Sequence, residues 1–319
     1  MAYAIETRGL RKSFGDREAV RGVDLAVHSG ELFALLGPNG AGKTTMIRML
    51  TTLLRPDGGT ARVCGYDVVK EAGGVRQRIS VTGQYVALDE SLTGRQNLML
   101  FAGLYGYKRK EAKKVADELL DLFDLTEAGG RTVGPWSGGM RRRLDLAAGL
   151  LPRPEIMFLD EPTTGLDPQS RRDLWKVVRG LTRQGMTVLL TTQYLEEADQ
   201  LADRIGFIAD GRLIAVGTPA ELKARYGGKT LTIRLAEGTD ADGVSRLLKS
   251  AFGLESQREE DGRIVKTSTR NAETAHAAVG ALLGGGTDVE DFALGEPSLE
   301  DVYFALNAAH AREAAVWTR

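Results

Sequence analysis

The sequence predicts an α/β fold: a mostly parallel sheet, an inserted helical subdomain, and a small α+β domain at the C-terminus. Three observations carry this expectation. Short apolar runs at 156–159, 187–190 and 205–208 alternate with helical segments such as 170–183, which is the order that parallel sheets require. The run Leu32-Phe33-Ala34-Leu35-Leu36 passes directly into a glycine-rich loop and then into a segment suited to a helix from Lys43. Past Tyr226-Gly227-Gly228 a separate alternation opens, with Leu231, Ile233 and Leu235 set against Thr232 and Arg234.

Along the chain, Tyr3, Ile5 and Thr7 alternate with Ala4, Glu6 and Arg8, as a half-exposed strand would. Leu25 and Val27 repeat that pattern. The wholly apolar 32–36 run fits a strand buried on both faces. From 88 to 150 the pattern turns helical; within it, residues 108–122 place Val115, Leu119 and Leu122 at helical spacing among charges. After 231 the expected order is strand, helix (244–252), a strand pair around Asp261-Gly262, helix (272–283), strand (289–294) and a terminal helix. That order is compatible with a split βαβ, ferredoxin-like sandwich.

At 319 residues the chain suggests about two domains, at roughly 150 residues each. With 42 basic and 43 acidic side chains the net charge is -1, so no global field draws the protein to nucleic acid or anionic lipid. Any anion site must be built locally. No apolar stretch approaches the ~20 residues that cross a bilayer, and residues 1–10 lack the apolar run of a secretory signal, which points to a cytosolic protein. Cys64 is the only cysteine, which excludes an internal disulfide, and His28, His276 and His310 are scattered, which suggests no zinc site.

Residues Gly37, Pro38, Asn39, Gly40, Ala41, Gly42, Lys43 and Thr44 match G-x-x-x-x-G-K-[ST] in full, between a predicted strand and a predicted helix. The glycines let backbone N–H groups surround phosphate oxygens, and the helix N-terminus adds about half a positive charge. Lys43 reaches the β/γ-phosphates, Thr44 offers a hydroxyl to Mg²⁺, and Thr45 follows in the first turn. ATP with Mg²⁺ is the expected ligand. Downstream, Ile156-Met157-Phe158-Leu159 delivers Asp160 and Glu161 to a strand's C-terminal end, where ligands of open parallel sheets bind. Asp160 suits Mg²⁺, and Glu161 suits polarising the attacking water.

Trp136-Ser137-Gly138-Gly139-Met140-Arg141-Arg142-Arg143 precedes that strand, and the combination resembles the ABC-transporter ATPase signature. Ser137 is a good N-cap, and Gly138 and Gly139 bare the backbone of a second anion-binding helix end. The resemblance identifies a P-loop NTPase of the ABC ATPase type over 1–226, with its helical subdomain at about 88–150 and a regulatory or dimer-stabilising domain at 229–319. It implies that Phe14 stacks on adenine, that Gln84 contacts nucleotide and Mg²⁺ in the loop between subdomains, and that Gly165-Leu166-Asp167 follows the acidic pair. It further implies a homodimer formed head to tail on ATP, in which Ser137, Gly138 and Gly139 of one copy close over ATP held by the other. A separate transmembrane permease subunit, a peripheral position on the cytoplasmic face of the membrane, and no nucleic acid partner complete the set.

The segment Thr191-Thr192-Gln193-Tyr194-Leu195-Glu196-Glu197-Ala198-Asp199, residues 137–146 and Pro297-Ser298-Leu299-Glu300-Asp301-Val302 look like the daunorubicin-resistance type of ATP-binding subunit, which implies export of drugs, antibiotics or lipids. Trp136 and Met140 depart from the commonest signature, which has leucine and glutamine there. Gln193 stands where most of the family carries histidine; its amide can donate to a γ-phosphate oxygen but does not titrate. It joins Glu161 as a candidate catalytic residue. Two other functions compete with a transport motor. A role in DNA repair or translation is opposed by the absence of a long heptad insertion and of basic excess. A nucleotide-gated module that barely hydrolyses is suggested by Gln193.

Overall fold

The computed structural model describes residues 3–83, 88–259, 262–269 and 272–316. The chain divides into two compact units, Met1–Val216 and Gly217–Arg319. In the first, the order is β1 (Tyr3–Phe14), β2 (Arg17–His28), β3 (Leu32–Leu36), α1 (Lys43–Leu50), β4 (Gly58–Val63), β5 (Tyr66–Asp67), α2 (Ala72–Arg76) and β6 (Ile79–Thr82). Then come α3 (Gly94–Leu104), α4 (Arg109–Leu122), α5 (Gly138–Gly149), β7 (Ile156–Asp160), α6 (Pro168–Arg183), β8 (Thr187–Thr192), α7 (Leu195–Leu201), β9 (Arg204–Ala209) and β10 (Arg212–Gly217).

The central sheet runs β10-β9-β3-β8-β7-β6, and β9, β3, β8, β7 and β6 pair in parallel. Strands β3, β7 and β8 are buried at every position, as expected of strands covered on both faces. A second, antiparallel sheet has the order β2-β1-β4-β5. Helix α1 packs against β2, β4 and β7 and so touches both sheets. Its Met46, Ile47, Met49 and Leu50 are fully buried, in one core with Ile5, Val27, Phe33 and Phe158. The 12-residue length of β1 is not apparent from alternation because its register against β2 shifts repeatedly, for example between Thr7 and Leu10; each shift breaks the two-residue period.

The inserted helices α3, α4 and α5 pack on one another. A capping box starts α3, with Thr93 Oγ1 accepting from the Gln96 N–H and the Gln96 side chain accepting from the Thr93 N–H. Helix α4 spans the expected segment, but its inner stripe differs. Ala112, Ala116, Leu119 and Leu120 are buried, Val115 is half-buried and Leu122 is exposed. Small alanines allow close packing of α4, a property that hydrophobic spacing read from the larger residues misses.

The second unit contains α8 (Pro219–Tyr226), β11 (Lys229–Leu235), α9 (Ala241–Phe252), β12 (Ser256–Arg258), β13 (Ile264–Thr269), α10 (Ala272–Gly284), β14 (Val289–Gly295) and α11 (Leu299–Val316). Its sheet order β12-β13-β11-β14 is antiparallel throughout, with α9 and α10 packed against each other and against the sheet. This is the split βαβ arrangement. Leu231, Ile233, Leu235, Val265 and Leu248 form its core. Of the expected Asp261-Gly262 turn, Asp261 lies outside the described residues. Helix α8 opens this unit with a Thr218–Glu221 capping box and packs against α11. At 297–302 the motif is itself a cap: Ser298 Oγ accepts from the Asp301 N–H at 3.2 Å, and Asp301 Oδ2 accepts from the Ser298 N–H at 2.8 Å and from Thr230 Oγ1 at 2.8 Å. Among the described residues no helix is long and apolar enough to cross a membrane.

Candidate functional site

The parallel strands β3, β8 and β7 bring three loops together at their C-terminal ends, where such sheets bind ligands. After Leu36 the backbone must pass close to β9: a Cβ on Gly37 would lie 2.2 Å from the Ile208 carbonyl oxygen. Gly42 has φ 108°, and a Cβ there would lie 2.5 Å from the Ala19 carbonyl oxygen. These contacts explain why glycine stands at both ends of the loop. No side chain caps α1, so its N-terminus is left to a ligand.

Lys43 is 4% exposed. Its Nζ donates to the carbonyls of Gly37 at 2.8 Å and Pro38 at 3.1 Å, and lies 3.2 Å from Glu161 Oε1. Thr44 Oγ1 donates to Asp160 Oδ1 at 3.1 Å. Asp160 is buried at the end of β7. Glu161 adopts φ 48°, a left-handed conformation uncommon outside glycine and costly enough that its surroundings must hold it. Its N–H donates to the Thr191 carbonyl and to Thr191 Oγ1, each at 3.1 Å, while Oε2 accepts from Thr164 Oγ1 at 3.3 Å.

A cavity of about 620 Å³ is lined by Phe14, Asn39, Gly40, Gly42, Lys43, Thr44, Thr45, Glu161 and Gln193. The expected loop residues, Glu161 and Gln193 thus meet in one place. Pro38 meets them through its carbonyl on Lys43, Gly37 and Ala41 belong to the loop backbone, and Asp160 joins through Thr44. Phe14 is 52% exposed, with Lys12 Nζ 5.7 Å from the ring centre. The Gln193 side chain makes no hydrogen bond to the described residues and is available to a ligand. Gln84 lies outside the described residues.

Ser137 caps α5 as its residue type predicts, its Oγ accepting from the Met140 N–H at 3.2 Å. Gly139 is required by packing, since a Cβ would lie 2.3 Å from Ser170 Oγ. Ser137, Gly138 and Gly139 do not line the loop cavity. Gly138 instead borders a second cavity of about 550 Å³, shared with Glu90, Arg141, Glu161 and Leu166. The unusual Trp136 is buried over the start of α3, where a Cβ on Gly94 would lie 2.5 Å from its ring.

Several residues to which the sequence assigned no role in the site also stand out in the structure. Arg17 lines the loop cavity and donates to the Gly40 carbonyl at 3.1 Å. Thr191, next to last in β8, is fully buried against Asp160 and Glu161; the signal available was a Thr-Thr pair closing an apolar strand, because buried hydroxyls need partners. Arg142, 5% exposed on α5, donates from Nε to the Pro162 carbonyl at 2.9 Å and from Nη1 to the Gly83 carbonyl at 2.5 Å. Burial draws its guanidinium below the ordinary value, opposed by the charges of Asp145, Asp160 and Glu197. Glu197 on α7 is fully buried and accepts from Trp175 Nε1 at 3.0 Å; burial raises its carboxyl above the ordinary value, against the lowering effect of its hydrogen bonds. Burial also pushes the Cys64 thiol up to about 12, so it stays protonated.

For a divalent cation the donor set fits a hard ion: a carboxylate and a hydroxyl side by side at the edge of an anion cradle. Among the described residues no group of three or more His, Cys, Asp and Glu could hold a metal by itself.

Residues 20–164 match the ABC transporter family model, and residues 217–306 match that of the C-terminal domain of DrrA1-3-like ATP-binding proteins. The chain is 50% identical over 303 residues to the daunorubicin/doxorubicin resistance ATP-binding protein DrrA of Streptomyces peucetius, covering 95% of this chain and 92% of that one. It is 50% identical over 311 residues to the daunorubicin resistance ATP-binding protein DrrA3 of Streptomyces coeruleorubidus, covering 97% of each. A solved ATP-binding subunit of an ABC transporter aligns with a TM-score of 0.61 at 27% identity, covering 70% of this chain and 93% of that one.

Proposed function

This chain belongs to the ABC transporter ATP-binding family, in the branch of the daunorubicin-resistance ATP-binding proteins, and we propose that it hydrolyses Mg-ATP to drive export through a separate transmembrane permease. The observation that carries the proposal is the meeting of Lys43, Glu161 and Gln193 around one cavity at the strand ends. Phe14 offers its open face to the base, and the loop N–H groups with Lys43 receive the phosphates. Thr44 and Asp160, with Gln84, would hold Mg²⁺, which supplies charge neutralisation on the phosphate oxygens. Glu161 orients and polarises the attacking water, while the Gln193 amide donates to a γ-phosphate oxygen as charge develops there.

Ser137, Gly138 and Gly139 stand apart from this chain's own loop cavity, which suits a role in closing over nucleotide held by a second copy. Closure as a head-to-tail homodimer and reopening after hydrolysis would move the permease at the cytoplasmic face of the membrane. The 229–319 domain contains none of the phosphate-binding motifs, and steadying the dimer is the task we assign to it. Two relatives are named for resistance to daunorubicin, one of them also to doxorubicin, and this supports a drug among the drugs, antibiotics or lipids proposed as cargo.

Lys43→Ala tests the site directly. Losing a charge-assisted contact of about 1.5–3 kcal/mol should weaken Mg-ATP binding roughly 10- to 150-fold by calorimetry. Unchanged affinity would sink the assignment.

A further inference from the structure

We infer that Thr191 is a positioning residue whose single hydroxyl sets both the metal-facing carboxylate of Asp160 and the strained backbone of Glu161; this rests on the nucleotide-hydrolysing role proposed above. Strand β8 lies between β3, which carries the phosphate loop, and β7, which carries the acidic pair. Residue 191 pairs with Leu35 on one side and Asp160 on the other. Its side chain is fully buried, so the hydroxyl must satisfy itself within the site.

Proton direction is fixed by the partners. The Glu161 N–H can only donate, so Thr191 Oγ1 accepts it at 3.1 Å. The Thr191 proton is then left for Asp160 Oδ1, at 2.6 Å. That same oxygen also receives the Thr44 hydroxyl, so the hydroxyl donors gather on Oδ1 and leave Oδ2 to a cation. When Thr44 turns its oxygen toward a cation, Thr191 remains to orient Asp160. The other half of the contact steadies Glu161 at φ 48°, and with it the direction of the water-polarising side chain. One hydroxyl therefore ties the placement of the cation to the placement of the base.

The test compares Thr191→Val with Thr191→Ser in the full chain. Valine matches threonine in shape and favours strands. The Glu161 N–H also keeps its second acceptor, the 191 carbonyl, so the fold should survive. Three quantities are measured: ATP affinity in EDTA by calorimetry, Mg²⁺ affinity of the ATP-bound protein by calorimetry, and turnover. Thr191→Val should keep metal-free ATP affinity within about twofold, weaken Mg²⁺ binding about tenfold, and lower kcat roughly 10- to 100-fold. Thr191→Ser, which restores the hydroxyl, should recover most of both losses. A valine variant with wild-type Mg²⁺ affinity and kcat overturns the proposal, as does a serine variant no better than valine. A wild type that binds no ATP overturns the nucleotide role first, and this proposal with it.

Discussion

Glu161→Gln removes one negative charge while keeping the shape of the side chain, and it should do two opposite things. Turnover should fall by a factor of about 10²–10⁴, the usual contribution of a positioned base. Affinity for Mg-ATP should rise, for a reason that lies in the contact between Lys43 and Glu161. Lys43 Nζ lies 3.2 Å from Glu161 Oε1, and both side chains are largely buried. At an effective dielectric of about 20, that attraction is about 5 kcal/mol before desolvation and the two retained carbonyl contacts are counted. Most of it cancels against burial, leaving ~1–2 kcal/mol that ATP must overcome when it draws the lysine to its phosphates. The glutamine variant avoids this competition, and it also avoids repulsion between a carboxylate and the γ-phosphate. Both effects have the same sign, so the dissociation constant should drop roughly 5- to 30-fold. Calorimetry with Mg-ATP, beside phosphate release under the same conditions, reads both effects. Equal or weaker binding by the variant refutes the argument that the ion pair competes with nucleotide.

Gln193→Ala should lower turnover more than it weakens ATP binding, since the amide donor matters most as charge moves in the transition state. Gln193→His adds a group titrating near 6.5, so its rate at saturating Mg-ATP should gain a pH limb absent from the wild type; superimposable profiles for all three proteins would retire the clamp. Glu197→Gln should stabilise the fold increasingly as pH rises. The folded carboxyl is raised by burial, so the native state holds its proton more tightly than the unfolded chain does, and wild-type stability declines as pH climbs above the ordinary carboxylate range. The melting-temperature gap between variant and wild type should therefore be wider at pH 8 than at pH 5, and a constant gap contradicts it.

What the sequence reveals is chemistry confined to neighbours along the chain. The 37–44 loop is legible because glycines, lysine and threonine act on one ligand from one turn, and Ser137 is legible because a cap is a local hydrogen bond. The order of elements from β11 onward is likewise written in alternation and turn residues, whereas the cap formed by Ser298 and Asp301 emerges only from the structure. Thr191 and Arg17 stayed hidden because their meaning depends on which strands become neighbours, and a single sequence does not state that β8 inserts between β3 and β7. Trp136 read as a departure; the structure shows what it fills, the space above Gly94 where no side chain fits.

Arg142 has a consequence for how the molecule tolerates movement. Its guanidinium binds the carbonyl at the exit of β6 and the carbonyl beyond the acidic pair, while its backbone belongs to α5. Three pieces of chain that are distant in sequence are thus indexed against a single rigid, planar part, much as a dowel aligns three plates. Rotating α5 by a few degrees must either drag both loops along or break a buried and a half-buried bond at once. Intermediate postures are costly, and the helical insert should pass between a small number of discrete settings instead of drifting.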